Sequence, residues 1–165
     1  MSILFSLLMI SAMKYPDGEP SVQQLRTMYY EASKSSSAAN KFYDSIKDAD
    51  DASPLQLGYR AMAEFMKCYH SFNPVTKLNY FAKGKSTLEH AIALAPESIE
   101  LHYLRFTVQT NIPFFLSYSS SVNADKAFLL KNYPTLKDDE LKSLIRDYML
   151  NCDDCTEAEK KPFQK

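Results

Sequence analysis

Three stretches of this sequence hold residue types that could do chemistry. The first is Asn79 to Thr87, NYFAKGKST, whose Gly84, Lys85, Ser86 and Thr87 have the ending of a phosphate-cradling loop. Such a loop needs a glycine where the backbone wraps the phosphates, and Asn79 stands there. Phe81 and Leu88 keep helical register through the stretch, so it reads as helix and nucleotide binding is set aside. The second is CDDC, where Cys152 and Cys155 have the spacing of a local disulfide, half a zinc site or a redox pair. A closed zinc site needs two more ligands, and Cys68 with His70 is the other Cys/His pair at short spacing. The Cys68 side of that helix is apolar, which fits a core cysteine and a boundary histidine, so Cys152 and Cys155 stay weak metal candidates. Asp153 and Asp154 raise rather than lower a neighbouring thiol pKa, which counts against a thioredoxin-like role. In an exported chain the simple 152–155 disulfide is the expected form, with Cys68 a buried thiol. The third is Arg105, Gln109 and Asn111. Arg105 and Gln109 lie one turn apart beside an apolar row of Leu101, Leu104 and Val108, and with Asn111 they form a candidate set of donors facing a binding groove. The competing reading pairs Arg105 internally with a carboxylate such as Asp125, fixing helix packing.

The remaining chemistry is thin. His90 and His102 fall on separate helices without metalloprotease spacing, and no glycine-flanked serine forms a nucleophile elbow. Asp48, Asp50 and Asp51 lack the ligand spacing of a calcium loop and read as a solvated turn. No catalytic set, cofactor site or metal site is assigned, and the chain reads as non-enzymatic.

The elements that must position these residues are helices. A chain of 165 residues with 45% hydrophobic content suits one domain. Nineteen basic against twenty acidic residues leave a net charge of −1, which gives no general pull toward nucleic acid. Three glycines leave few tight turns for a β-rich architecture. Met1 to Met13 is an apolar run too short to span a membrane. Its length suits a secretory signal, hence an exported, periplasmic or extracytoplasmic protein. No Lys or Arg precedes it, and the alternative is an N-terminal helix docked on the core of a cytoplasmic protein.

The domain proper is expected over 14–151. Ser21 and Gln24 form a capping box for a helix from Val22 to about Lys34. A second carries Phe42, Tyr43 and Ile46 inward. Ser53, Pro54 and Gln56 start a third that runs to about Phe72, with Arg60, Glu64, Lys67 and Ser71 as its polar strip. Asn73 and Pro74 start a fourth, on which Leu78, Phe81, Leu88, Ile92 and Ala95 make one apolar row and Tyr80, Gly84, Thr87, Ala91 and Leu94 a second. After Pro96, Leu101, Leu104 and Val108 oppose Ile99, Tyr103 and Phe106, so this helix is expected to be covered on two sides. Helices from about Asn123 to Tyr133 and Asp138 to Leu150 follow, and 152–165 reads as a polar tail.

Gly84, Leu88, Ala91 and Pro96, with Leu57 and Gly58 upstream, resemble the small, large and proline positions of a tetratricopeptide repeat. With LGYRAMAEF, NYFAKGK and LRFTVQTN, the chain is also similar to small bacterial helical proteins of unknown function. The resemblance implies an all-α fold, with TPR-like antiparallel helical hairpins stacked as a short right-handed superhelix. It implies a surface that binds a protein or peptide. Two other functions stand beside that expectation: an enzyme or small-molecule binder with a pocket between helices, and a CxxC thiol or metal protein.

Overall fold

The computed structural model describes residues 20–164. The run Met1 to Met13, read above as a signal or a docked helix, lies outside the described residues. The fold is all-helical: α1 (Val22–Lys34), α2 (Ser36–Ile46), α3 (Pro54–His70), α4 (Pro74–Leu94), α5 (Ile99–Asn111), α6 (Val122–Asn132), α7 (Asp139–Asn151) and α8 (Glu157–Lys160), with no strand among the described residues.

Local chemistry sets most helix starts. The Ser21 hydroxyl accepts from the Gln24 N–H and the Gln24 side chain accepts from the Ser21 N–H, closing the expected capping box. The Asn73 side chain accepts from the N–H groups of Val75 and Thr76, with Pro74 at the first helical position. Ser53 departs from expectation. Its backbone (φ −130°, ψ 87°) is not the extended form that Ser21, Ser35, Asn73, Ser98 and Asp138 adopt, and its side chain makes no capping hydrogen bond. Ser35 serves two helices: it ends α1 in an extended conformation, and its hydroxyl accepts from the Ala38 N–H to open α2. The joint is one residue long, and α2 folds back so that Phe42 meets Tyr29 at 6.3 Å between ring centroids.

Helix α3 packs against α1, α2, α4 and α5, and α4 folds back along it with Phe65 and Phe81 edge to face. Two glycines permit close approach. A Cβ at Gly58 would collide with the Leu101 side chain on α5, and one at Gly84 would press on the Phe65 ring at 3.1 Å. Helix α5 divides two cores, as the opposed apolar faces of 99–109 predict. Leu101, Leu104 and Val108 face the larger core built by α1 to α4, whereas Phe106, with Ile99, faces a smaller one built by α6, α7 and the C-terminal turn, and Tyr103 packs against both.

Three sequence expectations are corrected by packing. The 152–165 segment folds rather than fraying through Phe163: Thr156 and Glu159 form a capping box for α8, and Phe163 is buried against Tyr133 at 4.5 Å between centroids. One aromatic anchors a stretch whose average composition is polar. Glu64, assigned to the solvated strip of α3, is buried with Arg60 Nε 3.5 Å away and Oε2 unbonded. Burial pushes its carboxyl above the ordinary range. Leu78 and Leu94, on the apolar rows of α4, are exposed because no neighbouring helix covers those turns.

An ion cluster ties the helices together at the start of α1. Arg26 is buried, and all five of its N–H groups donate: Nε and Nη2 to the Glu100 carboxylate at 2.8 Å each, Nη1 and Nη2 to Asp138 at 3.2 and 2.7 Å, and Nη1 to Glu140 at 2.7 Å. Tyr59 donates to Glu100 at 2.6 Å. Side chains from α1, α3, α5 and the start of α7 thus meet at one guanidinium, the group whose planar fork suits several carboxylates at once.

Arg26→Leu is expected to cost about 3–5 kcal/mol in urea unfolding, because Glu100 is left buried and unpaired. Adding Glu100→Leu should recover much of that loss, and an equal or greater loss in the double variant would refute this account. Gly58→Ala should also destabilise, by about 1–3 kcal/mol from overpacking against the buried Leu101, offsetting the ~1 kcal/mol gain in helix propensity. A raised Tm would show that Leu101 can move aside.

Candidate functional site

A second buried ion cluster lies where α4, α5 and α6 meet. Asp125 on α6 is fully buried and accepts from Arg105 Nε and Nη2, each at 2.8 Å. Arg105 Nη1 donates to Glu89 at 2.7 Å, and Tyr118 donates to the same carboxylate at 2.6 Å. His102 adds its Nδ1 at 2.6 Å from Asp125 and its Nε2 at 2.8 Å from the Pro96 carbonyl, and its ring stacks on Phe128. Both neighbours of the imidazole are acceptors, an arrangement that favours the doubly protonated ring, with each N–H donating. Burial disfavours that charge, but the Asp125 and Pro96 hydrogen bonds outweigh it and raise the His102 pKa above its ordinary value. Burial likewise pushes the Asp125 carboxyl upward, and the bonds from Arg105 and His102 reverse this and lower it. An imidazole with both nitrogens occupied is not placed to abstract a substrate proton. The arrangement is structural glue.

The candidate groove donors therefore separate. Arg105 takes the internal pairing with Asp125, the competing sequence reading. Gln109 is buried, and neither end of its amide has a hydrogen-bond partner. Asn111 donates to the Thr107 carbonyl at 2.8 Å and to the Tyr148 hydroxyl. The three do not form one exposed row.

Cys152 and Cys155 are free thiols buried in the smaller core, and Cys68 is a free, half-buried thiol. Burial, reinforced by the adjacent Cys152, pushes the Cys155 thiol up to about 12, the opposite of an activated nucleophile. Burial also raises the Cys68 thiol. Among the described residues no cluster of three or more His, Cys, Asp or Glu side chains could hold a metal ion. His70 meets the Ala32 carbonyl and His90 meets Asp51, at opposite ends of different helices. Lys85 lies inside continuous α4 with its ammonium 5.0 Å from the Tyr118 ring centroid, so the Gly84 to Thr87 segment forms no loop around a phosphate.

The feature with the geometry of a binding site is an apolar cavity of about 680 Å³. Helix α3 lines it with Met62, Phe65, Met66, Cys68 and Tyr69, α4 with Pro74, Lys77, Leu78 and Phe81, and α5 with Thr107, Val108 and Asn111. Tyr29 of α1 and Ile112, Pro113, Phe115 and Leu116 of the turn after α5 complete the wall. Beside that turn Ser117 holds a positive φ of 50°, a backbone form that L residues adopt at a cost of roughly 1–2 kcal/mol. Three large apolar side chains exposed among the described residues, Tyr69, Leu78 and Phe115, line the cavity, and the exposed Phe72 and Val75 flank the lining residue Pro74 in the chain at the α3–α4 connection. Phe72 is fully exposed.

Sequence reasoning missed this site. Leu78 and Phe81 share a helical row with core residues, and nothing in the spacing tells a covered turn from an open one. An available signal was FNPV between α3 and α4, two apolar residues around a cap and a proline where polar turn residues are usual. Comparison with family models, curated proteins and solved structures finds no match. No helix among the described residues is long and apolar enough to cross a membrane.

The His102 charge has a defined pH signature. Its folded pKa lies above the ordinary 6.5, so its contribution is complete below about pH 6.5 and is lost as pH rises through the folded value. Urea unfolding should show that alkaline decline in the native protein, with the His102 step missing in His102→Gln. A step that persists in the variant assigns the decline to another group. Asp125 acts in the opposite sense: its contribution is present above its ordinary 3.8 and fades as pH falls through the lowered folded value.

Proposed function

We propose that this protein acts by binding, without catalysis of its own, and that its ligand is an apolar chain received in the cavity between α3, α4 and α5. The observation that carries this reading is the coincidence of the cavity with the exposed apolar patch. A volume of about 680 Å³ lies within the range usual for small-molecule sites, and the water-exposed Tyr69, Leu78 and Phe115 that line it gain from being covered. Met62 and Met66 give the wall adaptable side chains suited to a flexible occupant.

A protein or peptide ligand is the second reading. The rim favours it, because Phe72 and Val75 extend the apolar surface beyond the cavity itself. The TPR-like stacking of hairpins belongs to the same proposal. Its support is that Gly58 and Gly84, two residues carrying the resemblance, stand where a side chain of a neighbouring helix leaves little or no room for a Cβ.

Nile red, an uncharged environment-sensitive dye, tests the cavity reading. One equivalent is expected to bind with a blue-shifted emission, and Met66→Trp, which fills the wall, should weaken it by about tenfold or more, ~1.4 kcal/mol. Circular dichroism establishes that the variant is folded, and Met66→Leu is a volume-conserving control. Binding unchanged in folded Met66→Trp would move the ligand away from this cavity.

A further inference from the structure

The polar groups of the cavity are unequal. Thr107 donates to the Leu104 carbonyl and Asn111 to Thr107 and Tyr148, so both are committed to the protein. Lys77 is different. It is the charged residue among those lining the cavity, it is exposed, and among the described residues no carboxylate lies within ion-pair distance of it. The surrounding sequence has the same sign: between Glu64 and Glu89 the chain carries Lys67, Lys77, Lys83 and Lys85 and no Asp or Glu. Lys67 is engaged by Asn40, and Lys83 and Lys85 lie over tyrosine rings, which leaves Lys77 as the ammonium available at the mouth.

An apolar cavity with one unpaired cation at its entrance is complementary to a molecule with one long hydrocarbon chain and one anionic end. We propose that the occupant is a free long-chain carboxylate, its acyl chain between Met62, Met66, Phe81 and Val108 and its head at the Lys77 ammonium. This rests on the cavity reading above and adds the ligand's class. The walls supply affinity through burial of methylene groups, roughly 0.8 kcal/mol for each. Lys77 supplies selection for charge, and, being solvated, contributes the modest energy of an exposed ion pair.

The experiment compares decanoate with 1-decanol, matched in chain length and differing in head charge, as competitors of Nile red on the full chain below their aggregation concentrations at pH 8. Decanoate is expected to bind about two- to fivefold more tightly than decanol, an advantage that falls with added salt. Lys77→Gln should abolish the preference, bringing decanoate affinity down to about that of decanol, and Lys77→Arg should keep it. Equal binding of the two ligands by the native protein, or a preference that survives Lys77→Gln, overturns the carboxylate proposal while the cavity reading stands. Failure of both ligands to bind overturns the cavity reading as well, whether the space is closed, filled by the chain's own apolar residues or covered by a second copy. Sedimentation with phosphatidylglycerol vesicles without binding of dissolved decanoate assigns the apolar rim to a bilayer surface and likewise overturns the proposal.

Discussion

The architecture depends on a cost that α5 incurs and its neighbours offset. Glu100, His102 and Arg105 lie buried on one thirteen-residue helix, and none is tolerable in a low-dielectric interior without partners. Each partner comes from elsewhere in the chain. Glu100 needs Arg26 and Tyr59, His102 and Arg105 need Asp125, and Arg105 also needs Glu89. Apolar contact alone lets helices slide and re-register, but a bidentate guanidinium–carboxylate pair has one good geometry. The two clusters fix the position of α5 relative to α1, α3, α4, α6 and α7. The larger core, on the α3 side, then builds upon a helix whose rotation is already defined.

That rigidity gives the cavity its shape. Its far wall is the α5 surface of Thr107, Val108 and Asn111, within two turns of the clustered charges, and its near walls are α3 and α4. Space persists there because the row of α4 diverges from cover at Leu78 and because the 112–116 turn, held next to the strained Ser117 backbone, stands beside the gap. A packed interior normally closes such gaps. Here the helices bounding it are held by polar contacts at their other ends.

Much of the fold was legible in the sequence because helix starts are local events. The Ser21 capping box and the Asn73–Pro74 start involve residues within four positions of one another, and the two-sided burial of α5 followed from periodicity alone. The site was not legible. Its wall joins residues from Tyr29 to Leu116, and helical spacing marks Leu78 and Phe81 as equivalent although one is exposed and the other buried. The Arg105–Asp125 pair was one of two readings of Arg105, yet Glu89 and His102 in the same cluster had no sequence signal, and nothing in its spacing separates Arg26 from the polar residues Gln23, Gln24 and Thr27 around it. The folding of the C-terminal segment turned on Phe163 together with the buried Cys152 and Cys155 and the Thr156–Glu159 capping box, which an averaged composition conceals.

The single-residue joint at Ser35 bears on the order in which the molecule assembles. Turning α2 back onto α1 closes almost no loop, so the entropy lost in bringing them together is close to its minimum. The Arg26 contacts instead bridge 74 positions to Glu100 and 112 to Asp138. Contacts with short separation form quickly and distant ones slowly. The first hairpin is therefore a natural nucleus, and the guanidinium it carries waits, solvated, until α5 and α7 arrive to complete its shell.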